Sequence, residues 1–455
     1  MSEFYCPLAW GSVALRNNGD FRLCCHANIS ASSGILRDER GTPLNIATTS
    51  VDQIQNHPDL LAVRQSFLKD EWPAACVRCQ TEEEAGLKSG RSHALQRVKN
   101  EKLEEEFLAR LKRTQADGRL DSAAIVEMDV RFGNLCNLKC RSCGPTDSSS
   151  WYGDWVQLGN EGFQDSGIAV KFTNDSGRVV ASPDRFQWIQ NVSIDSILPE
   201  DARFLRRIYL AGGEPLIIPK HKEFLQALVD RGLAQQIYLE YNTNLTQLPQ
   251  AILELWKQFR AVGVGISLDG VGKYHEYLRY PARQTILEKN LALLDEQPKH
   301  IRAWFACTVS WMNLPHLPDF LLWVVQKNFC KIGRRNDRLP ISFHLLHKPL
   351  HLNLQAIPSS AKEFVTERVR EKWAGMQELF SPEDQRLFSE FLSKTIRYMN
   401  RKDESALWPQ HLEKNLRLDS LRGQSFGAID PTLAQVLGYP QQPSLRPEQA
   451  QLAKT

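Results

Sequence analysis

The chain has 455 residues and 51.9 kDa, of which 42% are apolar and 24% charged, the balance of a soluble globular protein with length for about three domains and a large core. Lys plus Arg exceed Asp plus Glu by 56 − 53 = 3, too small a surplus to imply a nucleic-acid or membrane-surface partner. No apolar run approaches a membrane span, so the disordered, collagen-like and membrane-embedded classes are excluded.

The start, Met1-Ser2-Glu3-Phe4-Tyr5-Cys6, has no basic stretch followed by an apolar one, so the expectation is a cytoplasmic protein without an export signal. In a reducing compartment clustered cysteines read as metal ligands or catalytic thiols rather than disulfides. Residues 1–80 read as a small cysteine-bearing module. It opens with a hairpin pattern: Gly11–Arg16, a turn at Asn17-Asn18-Gly19-Asp20, then Phe21–Cys24. Leu60, Leu61, Val63 and Phe67 give residues 51–70 a helical spacing. Residues 81–122 read as a charged helical linker, with one apolar stripe of Leu103, Phe107, Leu108 and Leu111.

From residue 123 to 350 short apolar stretches alternate with helical ones. Strands are expected at Ala124–Val130, Arg207–Ala211, Gln236–Tyr241, Val262–Leu268, Ile301–Val309 and Ile341–Leu346. Helices are expected at His221–Arg231, Leu248–Phe259, Arg283–Asp295 and Leu317–Lys327. Such alternation predicts an α/β fold with a parallel sheet, and six units suggest a partial or full β/α barrel. Chemistry should then collect at the C-terminal strand ends. Residues 144–206 are longer than a crossover helix needs and read as an insertion. Residues 351–455 read as a mostly helical C-terminal region, frayed from Pro440.

Cys136-Asn137-Leu138-Lys139-Cys140-Arg141-Ser142-Cys143 follows the first of these strands. Three thiolates within eight residues can wrap one soft metal centre. Gly133 and Asn134 before them and Gly144-Pro145 after them argue for a loop. Three protein ligands leave a fourth position for substrate or cofactor. A zinc knot or three buried thiols is the plain alternative. This Cys-x3-Cys-x2-Cys loop resembles the signature of the radical S-adenosylmethionine (SAM) superfamily. The resemblance implies a partial (β/α)6 barrel in which Cys136, Cys140 and Cys143 hold a [4Fe–4S] cluster. SAM would bind the fourth iron and be cleaved to a 5′-deoxyadenosyl radical that abstracts a substrate hydrogen. The family usually places an aromatic residue before the third cysteine; here it is Ser142.

Further motifs extend the resemblance over roughly residues 124–350. Gly212-Gly213-Glu214 is similar to the family's GGE motif, which implies that Glu214 and the backbone of the two glycines hold the SAM ammonium. Asn242, in Tyr241-Asn242-Thr243-Asn244, stands where relatives place polar residues near SAM, although an Asn-rich turn reads equally well. Ser267-Leu268-Asp269-Gly270 is similar to the SxDG motif of peptide- and protein-modifying members, which implies that Ser267 and Asp269 are SAM contacts. Arg279 matches an arginine that contacts the SAM carboxylate in those relatives.

Cys6, Cys24 and the pair Cys76-x2-Cys79 form a second group. It resembles the auxiliary half of SPASM or twitch domains, implying a second [4Fe–4S] cluster, with Cys25 able to replace Cys24. Structural zinc is the alternative reading of four cysteines. Cys307 and Cys330 remain as candidate hydrogen donors, although both read more readily as plain buried thiols. His344 and His347 have opposite parity on an extended strand, so they cannot both point inward. The resemblance implies a peptide or protein substrate and a reducing donor such as flavodoxin or ferredoxin. A small-molecule dehydrogenase or rearranging enzyme, and a non-catalytic iron–sulfur redox sensor, are the other readings.

Overall fold

The computed structural model of the protein describes residues 4–27, 34–84, 88–121, 124–332 and 339–440. Its strands are β1 (Ser12–Leu15), β2 (Phe21–Arg22), β3 (Glu127–Arg131), β4 (Gly162–Asp165), β5 (Ile168–Asp175), β6 (Arg178–Ser182), β7 (Arg207–Ala211), β8 (Tyr238–Thr243), β9 (Ala261–Ser267), β10 (Ile301–Val309) and β11 (Ile341–Leu345). The six expected strands are β3 and β7 to β11, and β7 and β10 have the expected bounds. The fold is mixed α/β with parallel strands, and none of the described helices is long and apolar enough to cross a membrane. The chain forms two compact units. One comprises Met1–Leu135, Gly162–Tyr241 and Pro249–Val262, the other Cys136–Glu161, Asn242–Leu248 and Gly263–Thr455.

In the first unit, β3 pairs in parallel with β7, and β7 with β8. The expected hairpin is present, with Ala14 opposite Arg22 and Leu15 opposite Phe21. It turns at Gly19, whose φ of +81° suits a residue without a Cβ. β1 also pairs in parallel with β3, Ser12 with Glu127 and Val13 with Met128. All four β1 residues are buried, which explains a strand bonded on both edges. Residues 81–122 hold the end of a helix at Val77–Glu84 and two more at Gly90–Asn100 and Glu104–Arg113. Phe107 and Leu111 are buried while Leu108 is exposed, so one face of the last helix belongs to the core. From the insertion, β4, β5 and β6 form an antiparallel meander. It meets the hairpin through Asp165, which accepts from Asn18 Nδ2 at 2.5 Å and pairs with Arg16 at 3.1 Å.

The faces of β3 and β7 differ in chemistry. Met128 and Val130 are fully buried on one side, whereas Glu127, Asp129 and Arg131 alternate on the other. There Glu127 accepts from Arg97 Nη2 at 3.1 Å and also pairs with Arg207, which reaches Glu240 at 2.8 Å. Burial opposes the Glu127 charge, but Arg207 and Arg97 outweigh it and hold the carboxyl below the ordinary glutamate range. A depressed folded-state value contributes stability above about pH 4.3 that is lost as the pH falls through the folded value. Glu127→Gln is expected to lower stability by about 2 kcal/mol at pH 7 and to flatten the acid limb. Urea midpoints between pH 3 and 7 check this, and parallel curves for both proteins would contradict it.

In the second unit, β10 and β11 pair in parallel from Phe305 with Ile341 to Val309 with Leu345. Leu268, just past β9, donates its N–H to the Ala306 carbonyl at 3.0 Å. The helical C-terminal region contains Ser359–Met376, Pro382–Arg401, Trp408–Arg422 and Pro431–Val436. Phe305 packs on Phe320, Trp323 and Phe329, which fixes its side of β10 as the one facing the helix Leu317–Lys327.

Candidate functional site

Residues 132–150, between β3 and the helix Trp151–Gln157, contain no helix or strand, as the flanking glycines predict. The cysteine loop within them is held by its own backbone. Lys139 and Arg141 donate N–H groups to the Tyr280 and Leu278 carbonyls, each at 2.8 Å. Side chains take the outward carbonyls: Ser150 that of Cys136 (2.7 Å), Ser148 that of Leu138 (2.6 Å) and Trp151 Nε1 that of Cys140 (3.0 Å). Leu138, Cys140 and Ala282 form a buried apolar nest, with Cys136 and Cys143 packed against it. The three thiols therefore gather in one place within the second unit.

Polar hydrogens reach the sulfurs as well. Asn244 Nδ2 lies 3.9 Å from Cys136 Sγ and Arg279 Nη1 lies 3.8 Å from Cys140 Sγ. The hydrogen bond between the Cys140 and Cys143 thiols pushes the first down and the second up. N–H groups aimed at sulfur stabilise thiolate and tune a metal centre.

Arg279 is engaged at its other end. Its Nη2 donates to Asp269 Oδ1 at 3.1 Å, and Nε lies 2.9 Å from Oδ2. Burial would lower the Arg279 pKa, but the Asp269 carboxylate outweighs burial and keeps the guanidinium charged. Asp269 also accepts the Thr308 N–H at 2.7 Å. Asp269 and Arg279 thus brace the cysteine loop, beyond the ligand contacts the resemblance implies. Ser267 is the last residue of β9 and half-buried, and Asn242 is half-buried near the end of β8. Asp269, Thr308 and Ser142 line one small crevice with Arg141 and Ser310.

In the first unit Gly212 and Gly213 follow β7 with φ of +78° and +49°. A Cβ on Gly213 would stand 2.4 Å from the Leu135 carbonyl oxygen, and one on Gly212 would stand 2.7 Å from Arg131 Cβ. Only glycine fits this close approach. The Glu214 N–H donates to Leu135 O at 2.8 Å, and its buried carboxylate accepts the Leu216 N–H at 3.1 Å. Glu214 is thereby fixed to the residue that immediately precedes Cys136 in the chain.

The second cysteine group also comes together. Cys6, Cys24, Cys76 and Cys79 line one small cavity, with Trp72, Phe67 and Arg91 in its wall. Burial pushes the Cys6 and Cys76 thiols up to about 12, and neighbouring sulfurs add to it. Cys25 is absent from this lining, which separates the roles of the adjacent pair. Among the described residues no three His, Cys, Asp or Glu side chains converge on a single ion. Zinc needs its donors about 2.0–2.3 Å from one centre, whereas in a cubane each sulfur takes its own iron. All-thiolate donor sets fit an iron–sulfur cluster at both cysteine groups, and the four-cysteine set fits zinc as well.

Cys307 shares the parity of Phe305 on β10, is fully buried and meets Asn313 Nδ2 at 3.8 Å. Its thiol therefore faces the helix side, while Thr308 faces the crevice. Cys330 is exposed, beyond the helix Leu317–Lys327, with its N–H on Asp295 at 2.8 Å. The alternation of β10 carried the signal for Cys307, since its register places Cys307 with Phe305.

Four supports of the cysteine loop escaped sequence reasoning. Arg141, between two of the cysteines, is 1% exposed and pairs with Asp419, over the Tyr277 ring at 3.8 Å. Lys139 pairs with Asp154 at 2.5 Å, and Arg422 with the same carboxylate at 2.8 Å. Asn244 was within a quoted motif, but its neighbour Asn242 was singled out.

Residues 130–319 match the family model of the radical SAM superfamily. That match covers fewer than half of the chain's residues. No curated protein matches the chain. Among solved structures it is similar to native anSMEcpe with bound AdoMet and Cp18Cys peptide, at 17% identity and a TM-score of 0.35, over 55% of this chain and 60% of that one. It is also similar to Streptococcus suis SuiB bound to S-adenosylmethionine, at 14% identity and a TM-score of 0.30, over 74% of this chain and 66% of that one. SuiB bound to precursor peptide SuiA gives 13% identity and a TM-score of 0.32, over 74% and 67%. The chain thus spans about three-fifths of the length of the first of these proteins.

Proposed function

We propose that the protein is a radical SAM enzyme that modifies a peptide or protein by hydrogen abstraction, with one catalytic and one auxiliary [4Fe–4S] cluster. The observation that carries this reading is the nest of Cys136, Cys140 and Cys143, inside the stretch that matches the radical SAM family model, with N–H groups aimed at two of its sulfurs. When bound, the cluster and SAM would supply one-electron cleavage of a carbon–sulfur bond and a carbon-centred radical.

The chain's own residues do the rest. Cys136, Cys140 and Cys143 would bind three irons and leave the fourth for SAM. Glu214, fixed at the turn after β7, would accept from the SAM ammonium, and Ser267 would meet its ribose. Asp269 keeps Arg279 charged beside Cys140. Cys6, Cys24, Cys76 and Cys79 would enclose the second cluster with no open position, suited to electron transfer or structure. The SxDG segment and the N-terminal cysteine module favour the peptide substrate, since both resemble parts of peptide-modifying relatives.

The protein, reconstituted anaerobically and mixed with SAM and dithionite, is expected to release 5′-deoxyadenosine, measured by liquid chromatography and mass spectrometry. A cluster-bearing protein that releases none would be a redox sensor.

A further inference from the structure

The first unit contains a cavity that neither cysteine group touches. It lies where the helices Pro7–Gly11, Gly90–Asn100 and Glu104–Arg113 meet the starts of β3, β7 and β8, and its volume is about 170 Å³. Gly212–Glu214 follow the other end of β7, so the cavity is separate from that turn. Leu8, Ala94, Val98, Phe107 and Val126 line it, and all five are buried. Arg97 and Glu101, in the same wall, are partly exposed and mark its mouth. An apolar void forfeits contacts that a guest of the right shape restores. An engineered apolar cavity of about 150 Å³ accepts benzene, so this one has room for a single six-membered ring.

The charges around the cavity select the guest. Glu101 is held by Arg260 through two bonds of 2.8 and 2.9 Å. Glu127 and Glu240 are met by Arg97 and Arg207. Arg206 also stands in the wall. Four guanidinium groups thus meet three carboxylates, and one positive charge is left over. That charge is Arg206, which has no carboxylate partner among the described residues. Its Nη1 donates to the Arg203 and Leu205 carbonyls at 2.7 and 3.2 Å, which leaves Nε and Nη2 for a guest. A charge-assisted hydrogen bond beside an apolar surface is stronger than one in open water. A surplus of one charge matches a monoanionic carboxylate better than a phosphate ester, which carries about −1.5 to −2 near neutral pH.

We infer that this cavity is a binding site for a small aromatic carboxylate, with its ring among Leu8, Ala94, Val98 and Phe107 and its carboxylate on Arg206. Such a guest joins the helix Gly90–Asn100 to the start of β7. The inference is independent of the radical reading, because neither SAM nor a cluster takes part in it.

The test uses the anaerobically purified full chain and three probes of one shape: benzoate, benzamide and benzamidine, which are anionic, neutral and cationic. Calorimetry or saturation-transfer magnetic resonance gives each Kd. Benzoate is expected to bind about tenfold or more tightly than benzamidine, the factor that one hydrogen bond to a charged group supplies. Arg206→Gln should weaken benzoate about tenfold and leave benzamide unchanged. Ala94→Leu, which puts a larger side chain into the cavity, should abolish the binding of both, with circular dichroism confirming the fold. Arg206 is partly exposed, so its variant carries the test even where Ala94→Leu fails to fold. No saturable binding of benzoate to the wild type, benzamidine binding as tightly as benzoate, an unchanged benzoate Kd in Arg206→Gln, or full binding in folded Ala94→Leu would each overturn the inference. None of these results bears on 5′-deoxyadenosine release, so the inference and the radical reading fail separately.

Discussion

Cys140→Ala is expected to lower the iron content from about eight to about four per chain and to abolish 5′-deoxyadenosine formation. Cys140 is the most buried of its three sulfurs, the centre of the nest with Leu138 and Ala282, and the one that Arg279 approaches. Without it a cubane would keep two protein ligands in this loop and no donor beside Arg279. The cavity of Cys6, Cys24, Cys76 and Cys79 is built wholly from the first unit, so its four irons should remain. Iron and sulfide analysis on anaerobically purified protein reads the result. A variant that retains all its iron would show that Cys140 is a plain buried thiol.

The second large effect is on stability. Arg141 is 1% exposed, and its charge is met by Asp419 of the helix Trp408–Arg422. Asp419 also accepts from the Tyr277 hydroxyl at 2.9 Å and from the Phe426 N–H at 3.0 Å. Removing one partner of a buried pair leaves the other charge without compensation and costs about 3–5 kcal/mol. Asp419→Ala is therefore expected to destabilise the protein by that amount and to loosen the loop between Cys140 and Cys143. Replacing both residues, as in Arg141→Met with Asp419→Leu, should recover much of the loss, because no uncompensated charge remains. Denaturant unfolding of the two variants checks this. A loss below about 1 kcal/mol for Asp419→Ala would place the pair among the weak surface bridges.

Much of the fold was legible because its signals are local. Strand–helix alternation set β3 and β7 to β11, and glycines marked the loops after β3, β7 and β9. The turn at Asn17–Asp20 announced the hairpin. Its parallel pairing with β3 was not legible, since β1 meets residues more than a hundred positions away and nothing in Ser12–Leu15 encodes that partner. The ligand candidates could be read from cysteine spacing, but their supports could not. Asp154 joins Lys139, 15 residues before it, to Arg422, 268 residues after it, and neither spacing follows a helix or strand period. Cys24 and Cys25 looked interchangeable in sequence, whereas in the structure only Cys24 enters the cavity. Cys307 was suggested by residue type alone, and the alternation of β10 sets it among helix-facing side chains.

The central claim is that Cys136, Cys140 and Cys143 hold a cubane whose fourth iron is open to SAM. Electron paramagnetic resonance of the dithionite-reduced protein, recorded with and without SAM in the Cys76→Ala, Cys79→Ala variant, isolates that cluster. The account predicts a reduced-cluster signal whose shape and position change when SAM is added. A signal that is identical with and without SAM, or no cluster signal in this variant, would contradict it.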